Sequence, residues 1–160
     1  MTAAFAMDGL NSYLHFFPNA PSLYQPSNLS RLVTGSGMGL SVALVLYPSF
    51  NQTAWKKPDM RPGLTGFKPI LFALGLLLLL DALVWLEIPF MLYIFGLVSA
   101  MGVITLLTMI YSVFWMMLMK LDNRAERFKD LILTLTLGFG TAILQIALFN
   151  FARYWMTGTW

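Results

Sequence analysis

The longest apolar run of the chain extends from Pro69 to Met119, and its only acidic or basic side chains are Asp81 and Glu87. As one helix these 51 residues would be about 76 Å long, at about 1.5 Å per residue. The hydrocarbon core of a bilayer is only about 30 Å thick, so the run must fold into two spans. Pro89 follows Glu87, and a proline lacks the N–H that an interior helical turn needs. The pattern therefore predicts a transmembrane hairpin with spans at about 69–87 and 90–119.

Two further apolar segments flank this hairpin, at about 32–50 and 131–152. The first would be about 28 Å long as a helix, which is enough to cross a bilayer. The composition agrees with this interpretation, because 58% of the residues are hydrophobic and 11% are charged, against about 25% charged in soluble domains. We therefore predict an all-α membrane protein with four transmembrane helices in a domain that covers 31–154.

The segment before the first span has a different pattern. Residues 2–17 predict an amphipathic helix, in which polar positions at Asp8, Asn11, Ser12 and His15 fall between apolar ones at Ala3, Ala6, Met7, Leu10, Leu14 and Phe17. A proline-rich linker completes the predicted region 1–30. The helix carries no Lys or Arg, so charge-driven binding to anionic lipid is not expected. It can lie flat on the membrane or pack on a partner protein, and the pattern leaves both open.

Basic residues are unevenly distributed between the two predicted sides of the membrane. On one predicted side, the only Lys or Arg residues are Arg31, just before the first span, and Arg153, just after the fourth, and the hairpin turn and the tail at 155–160 carry none. The loops after spans one and three carry the other eight, Lys56, Lys57, Arg61, Lys68, Lys120, Arg124, Arg127 and Lys129. Cytoplasmic loops are enriched in Lys and Arg, so we expect these loops in the cytoplasm and both termini outside it.

Small residues recur every fourth position in the first predicted span, at Gly35, Gly39 and Ala43. They share one helical face, on which another helix backbone can approach closely and gain dispersion contacts. We predict that this face packs against a helix. The helix can belong to the same chain or to a partner subunit, and a glycine-lined pore is a third interpretation.

Asp81 is the carboxylate that the pattern places deepest in the membrane. It lies about 19 Å along span two when counted from Lys68, and a charge at that depth costs a few kcal/mol unless it is paired or neutralised. Arg153 and Arg31 are the basic side chains predicted on the same side, so an ion pair with one of them is the first interpretation. A protonated, hydrogen-bonded carboxyl group and a proton- or cation-carrying group are the alternatives.

Spans three and four also carry polar side chains at helical spacing. We expect them to hydrogen-bond between the two helices, although a hydrophilic transport path is the alternative. The side chains are Thr105, Thr108 and Ser112 on span three, and Thr134, Thr141 and Gln145 on span four.

The residues that usually carry chemistry are scarce. The chain has no Cys and one His, which excludes disulfides, thiol catalysis, Cys-ligated clusters and any site built only from this chain's His and Cys ligands. His15 can be considered as a haem or chlorophyll ligand, but polar surface is the simpler role. The sequence shows no Ser–His–Asp set and no carboxylates at hydrolase spacing on one element. We predict no catalytic, cofactor or metal site, and no nucleic-acid partner.

These observations predict a non-catalytic integral membrane subunit that packs in a larger membrane protein complex and stabilises it. Its partners would be other membrane subunits and lipid, and its location would be the bacterial inner membrane. The alternative is a small ion- or proton-coupled permease or channel in which Asp81 is the working carboxylate.

Overall fold

The structure, a computed structural model, describes residues 2–15, 23–59, 64 and 66–158. In this part the chain forms five α-helices, a short 3-10 helix before the last of them, and no strand. The helices are α1 (Thr2–Leu14), α2 (Asn28–Ala54), α3 (Phe67–Trp85), α4 (Pro89–Leu118) and α5 (Ile132–Thr157), and the 3-10 helix is Phe128–Leu131.

Four helices of the described part are long and apolar enough to cross a membrane: α2, α3, α4, and the 3-10 helix together with α5. The predicted class, an all-α membrane protein with a helix before four spans, is confirmed. The helices extend beyond the predicted spans 32–50 and 131–152 by several residues. Part of the predicted linker (18–22), Arg61 of the first basic loop, and the last two residues of the tail lie outside the described residues.

The turn between α3 and α4 is built by the residues around Glu87. The Leu86 and Glu87 amides donate to the carbonyl oxygens of Ala82 and Val84, both at 3.1 Å. Glu87 has φ of 52°, a left-handed conformation that ends the helix. Pro89 then occupies the first position of α4. An N–H group at this position has no acceptor within the helix, so its absence in proline costs no hydrogen bond. Proline here starts a helix as well as separating two.

The end of α4 is a Schellman motif. The Leu121 amide donates to the Met116 carbonyl oxygen at 2.8 Å, and the Lys120 amide donates to that of Met117 at 3.2 Å. Lys120 has φ of 58°, a position that glycine usually occupies. The motif satisfies carbonyl groups that a helix end otherwise leaves without partners, and α4 stops at Leu118.

The chain divides into two compact units. One contains Met1–Val45 and Gly63–Phe95, and the other contains Leu46–Pro62 and Gly96–Trp160. The core of the second unit consists of the buried side chains of Ala54, Met116, Ala125 and Leu131. Four half-buried side chains pack around it, Phe50, Trp55, Val113 and Leu135.

Within the second unit, the loop after α4 closes the C-terminal end of α2. The amides of Asn123 and Ala125 donate to the carbonyl oxygens of Thr53 and Ala54, at 2.7 and 3.2 Å, and the Lys56 amide donates to the Ala125 carbonyl oxygen at 3.0 Å. Lys56 also forms an ion pair with Glu126. Both side chains are more than half exposed, so the pair contributes little, whereas the backbone bonds supply the partners that the helix end lacks.

Candidate functional site

Asp81 is buried near the C-terminal end of α3, with 7% of its surface exposed. Its Oδ2 atom accepts a hydrogen bond from the Ser36 hydroxyl of α2 at 2.9 Å. The same hydroxyl lies 3.2 Å from the Val33 carbonyl oxygen, so its one proton is shared between two acceptors. The sequence singled out Asp81 but did not identify Ser36 as its partner. Ser36 lies one position from Gly35, and only the rotation of α2 decides that it faces α3.

A cavity of about 310 Å³ adjoins this carboxylate. Asp81 and Ser36 supply its polar groups, and its other lining residues are Leu40, Ala73, Leu76, Leu77 and Leu80. One carboxylate and one hydroxyl can hold a proton or take part in binding one small cation. Among the described residues, no three His, Cys, Asp or Glu side chains lie close enough to hold a metal ion.

Of the two arginines that the sequence proposed as partners of Asp81, Arg31 belongs to the same unit of the structure as Asp81, and Arg153 belongs to the other unit. Arg31, in the first turn of α2, donates from Nε to the Ser12 hydroxyl of α1 at 3.2 Å. Arg153 lies on an exposed part of α5. The ion pair between Asp81 and Arg153 or Arg31 therefore stays a prediction.

The predicted packing face on α2 faces open space in the described part of the chain. A Cβ atom added to Gly35 or Gly39 would meet nothing within 4 Å beyond its own helix backbone. Ala43, the third member of the face, is exposed. The sequence left three interpretations open: packing within the chain, packing on a partner subunit, and a glycine-lined pore. The first is not observed among the described residues.

A close helix contact occurs instead between α4 and α5. A Cβ atom added to Gly138 would lie 2.3 Å from Ser112 Oγ, 2.7 Å from the Thr108 carbonyl oxygen and 2.8 Å from the Ser112 amide nitrogen. Thr134 and Ala142, one turn before and one turn after Gly138, are both buried, as is Ser112. Glycine is therefore required at 138 because the α4 backbone occupies the space of a side chain.

Two side-chain hydrogen bonds join α4 and α5 at this contact. The Tyr111 hydroxyl donates to Gln145 Oε1 at 2.6 Å, and the Trp115 indole donates to Thr141 Oγ1 at 3.0 Å. Thr141 and Gln145 were expected to take part in such bonds, but their aromatic partners were not identified. The signal was present: Tyr111 and Trp115 lie one turn apart on α4, as Thr141 and Gln145 do on α5.

The other four predicted interhelical side chains bond to the backbone of their own helix or, for Thr134, of the 3-10 helix that leads into it. Each hydroxyl donates to a backbone carbonyl one turn earlier in the chain, at 2.6 to 3.0 Å. They are Thr105, Thr108, Ser112 and Thr134. A Ser or Thr hydroxyl satisfied in this way needs no partner on another helix, so Thr108, Ser112 and Thr134 allow close packing without joining the helices, whereas Thr105 is exposed.

The polar side of α1 forms a network with the residues that follow it. Asp8, Asn11 and Ser12 are buried, with 3%, 2% and 8% of their surface exposed. Asn11 Oδ1 accepts from the amides of Leu23 and Tyr24 at 2.7 and 3.4 Å, and its Nδ2 atom donates to the Tyr24 carbonyl oxygen at 2.9 Å. These bonds fix α1 beside the segment that leads into α2.

Asp8 is the charged member of this network. Its carboxylate accepts from the Tyr24 hydroxyl in a short hydrogen bond and from Thr34 Oγ1 at 3.4 Å. The Tyr24 hydrogen bond is the main cause that lowers the pKa of Asp8, with smaller contributions from Ser30, Thr34 and the charge of Arg31. The same bond raises the pKa of Tyr24.

We expect acid to release α1. A lowered pKa means that the docked state binds the proton less tightly than the free chain, so this stabilisation is present above the ordinary value of 3.8 and is lost as the pH falls through the lowered value. A nitroxide on cysteine at the exposed position His15 should become progressively more mobile as the pH falls below 3.8, as read by electron paramagnetic resonance. This substitution also removes the chain's only imidazole.

In the same experiment, Asp8→Ala should make the label mobile at pH 7 and insensitive to acid. Glu87→Gln, which removes an exposed carboxylate in the turn after α3, should leave the response of the parent unchanged. An Asp8→Ala label as immobile at pH 7 as that of the parent would show that Asp8 does not hold α1.

Comparisons with known proteins give no relative: no protein-family model, no curated protein and no solved structure matches the chain.

Proposed function

We propose that the protein is a non-catalytic integral membrane subunit that packs in a larger membrane protein complex and stabilises it. The observation that supports this most is the difference between two small-residue faces. The face around Gly138 is filled by α4, whereas an added Cβ at Gly35 or Gly39 meets nothing within 4 Å among the described residues, and Ala43 is exposed. A helix from another subunit fits such a face better than flexible acyl chains, because a rigid backbone can keep close contact along it.

The exposure of the spans agrees with this proposal. In the most apolar 18-residue window of each span, 6% of the residues are buried in α2 and in α3, none in α4, and 22% in the last span. The described residues thus leave most of the apolar surface to lipid and to other proteins. The proposal that the chain is not an enzyme rests on its side chains, since it has no Cys and its single His is exposed at the end of α1.

Gly39→Leu should detach the partner. Bulk at the point of closest approach separates the two backbones and forfeits their dispersion contacts. We expect about tenfold less partner to co-purify in mild detergent, which corresponds to about 1.4 kcal/mol of association free energy. Stoichiometric subunits in the parent preparation, identified by mass spectrometry, provide the reference.

Gly75→Leu is the matched control, because Gly75 lies on α3 and also has nothing within 4 Å of an added Cβ. It should retain the partners. If both variants assemble like the parent, the α2 face points at lipid and the proposal loses its main support. A parent that purifies only with itself would favour a homo-oligomer.

The second candidate function is that of a small proton- or cation-coupled permease. The buried carboxylate of Asp81, with the Ser36 hydroxyl and a cavity beside it, is the observation that favours it. An ionisable residue inside a membrane domain often lies on a proton or ion pathway. The two functions differ in what the removal of this charge should do.

We also propose that the protein lies in the bacterial inner membrane with both termini outside the cytoplasm. The chain has no Cys, so single cysteines can report the orientation. Cysteines at the exposed positions Leu23 and Met156 should react with an impermeant thiol reagent in intact cells. Cysteine at Lys57 should react only after the membrane is permeabilised. The reverse pattern would invert the topology.

A further inference from the structure

The amphipathic helix α1 turns its polar side inward and its apolar side outward. Met7 and Leu10 are 58% and 60% exposed, whereas the polar side chains of the same two turns are buried. A helix that packs on a protein in water has the opposite arrangement, with its apolar stripe covered. The outward side of α1 therefore needs a surrounding that is not water.

The hydrogen bonds of the polar side hold this orientation in place. Asn11 is bonded to the backbone of residues 23 and 24, and Ser12 accepts from Arg31 of α2. Asp8 accepts from Tyr24 and from Thr34, which also lies on α2. Turning the apolar side inward would break these bonds and leave a charged carboxylate and an amide without partners, so rotation is disfavoured.

The outward side carries no charge. Asp8 is the one acidic or basic residue of α1, and it is buried. A surface bound by the charges of anionic lipid headgroups would need Lys or Arg, and α1 has neither. An uncharged apolar face fits the boundary between acyl chains and headgroups, and it requires no particular headgroup charge.

The position of α1 along the chain points to the same boundary. Ser30, Arg31 and Thr34, on which its polar side rests, belong to the first turns of α2, a helix that is long and apolar enough to cross the membrane. The first turns of such a helix lie near the membrane surface. A helix docked there has headgroups and the ends of acyl chains as its neighbours.

We propose that α1 is an interfacial anchor, with its polar side on the protein and the Met7–Leu10 side in the lipid boundary. Tyr13, which is also exposed on this helix, places an aromatic ring with a polar tip at the depth where tyrosine is enriched in membrane proteins. A surface on another subunit or on a second copy is the competing occupant, and the experiment below separates it from lipid.

The test uses single cysteines carrying a nitroxide, in the purified chain reconstituted into phosphatidylcholine vesicles. Collisions with oxygen report lipid, and collisions with a water-soluble nickel chelate report water. The label at Leu10 should show an oxygen-to-nickel ratio severalfold higher than one at Lys57, an exposed loop position, and lower than one at Leu79, an exposed apolar position within α3. A label at Met7 should behave like that at Leu10.

Each other outcome contradicts the anchor. A ratio at Leu10 close to that at Lys57 places the apolar side in water, and low collision rates with both reagents place it against protein. Replacing a third of the phosphatidylcholine with phosphatidylglycerol should leave the ratio at Leu10 unchanged. A ratio that depends on anionic lipid would mean that charge recruits the helix, contrary to the proposal. Because Leu10 is exposed, the label itself should not disturb folding.

Discussion

Gly138→Leu is expected to separate α4 from α5 and to lower the free energy of unfolding by about 3 kcal/mol or more, the upper range for overpacking. The first atom of the new side chain would lie 2.7 Å from a backbone oxygen and 2.8 Å from a backbone nitrogen of α4. Backbone atoms of a helix cannot swing aside as a side chain can, so the two helices must move apart. The bonds of Tyr111 to Gln145 and of Trp115 to Thr141 would be lost with the contact.

Unfolding in increasing dodecyl sulfate, followed by circular dichroism and size-exclusion chromatography, measures this effect. Gly140→Leu is the matched control, because an added Cβ at Gly140 meets nothing within 4 Å. It should be neutral or stabilising by up to about 1 kcal/mol, since leucine is a better helix former than glycine. Equal stability of the two variants would show that α4 and α5 do not approach closely at Gly138.

A second change separates the contributions to this clash. Ser112→Gly removes the hydroxyl that would lie 2.3 Å from the new Cβ but leaves the backbone atoms of α4 where they are. The double variant Ser112→Gly with Gly138→Ala should therefore regain only part of the stability that Gly138→Ala loses. Full recovery would mean that the side chain of Ser112, not the backbone, sets the helix separation.

The contrast between Gly39 and Gly138 shows what a sequence can predict about such a fold. Hydropathy placed four spans because crossing a bilayer demands a long apolar segment, whatever lies beside it. The small residues at 35, 39 and 43 and those at 134, 138 and 142 both recur every fourth position. Which of the two faces another helix depends on the rotation of each helix about its axis, and tertiary packing sets that rotation.

The polar residues give a second example. The hydroxyl of Ser112 can bond across to another helix or back to its own, and the spacing is the same in both cases. In the structure it donates to the Thr108 carbonyl oxygen at 2.6 Å. In α1 the spacing showed two faces but not which one meets the protein. That choice depends on the hydrogen bonds of Asn11 to the backbone of residues 23 and 24. The periodicity of the helix gives no information about these bonds.

The same limit applies to Asp81. The free-energy cost of a charged carboxylate at that depth predicted a partner for Asp81. In the structure the partner is Ser36 of α2, which lies 45 residues earlier in the chain. The energies of the candidate partners differ enough to be separated by experiment. A hydrogen bond between membrane helices contributes about 0.6 kcal/mol on average, whereas removing one member of a buried ion pair costs about 3–5 kcal/mol.

We therefore expect Ser36→Ala to have a small effect on stability in dodecyl sulfate. If Asp81 is paired with Arg153 or Arg31, the corresponding Arg→Gln change and Asp81→Asn should each lower the yield of folded protein strongly. The double variant should recover part of that yield, because it leaves no unpaired charge. Glu87→Gln is the control, since this carboxylate is exposed in the turn and its removal should change nothing.

The same Asp81→Asn variant decides between the two proposed functions. Asparagine keeps the size of the side chain and an oxygen that can accept from Ser36, but it can neither release a proton nor bear the negative charge that attracts a cation. If the role of Asp81 is structural, Asp81→Asn should lower the yield of folded protein, and the parent protein should show no proton or cation flux in vesicles. Asp81→Asn protein that folds with parental yield and loses a measurable flux would overturn the structural role. It would then make Asp81, facing its cavity beside Ser36, the working group of a permease.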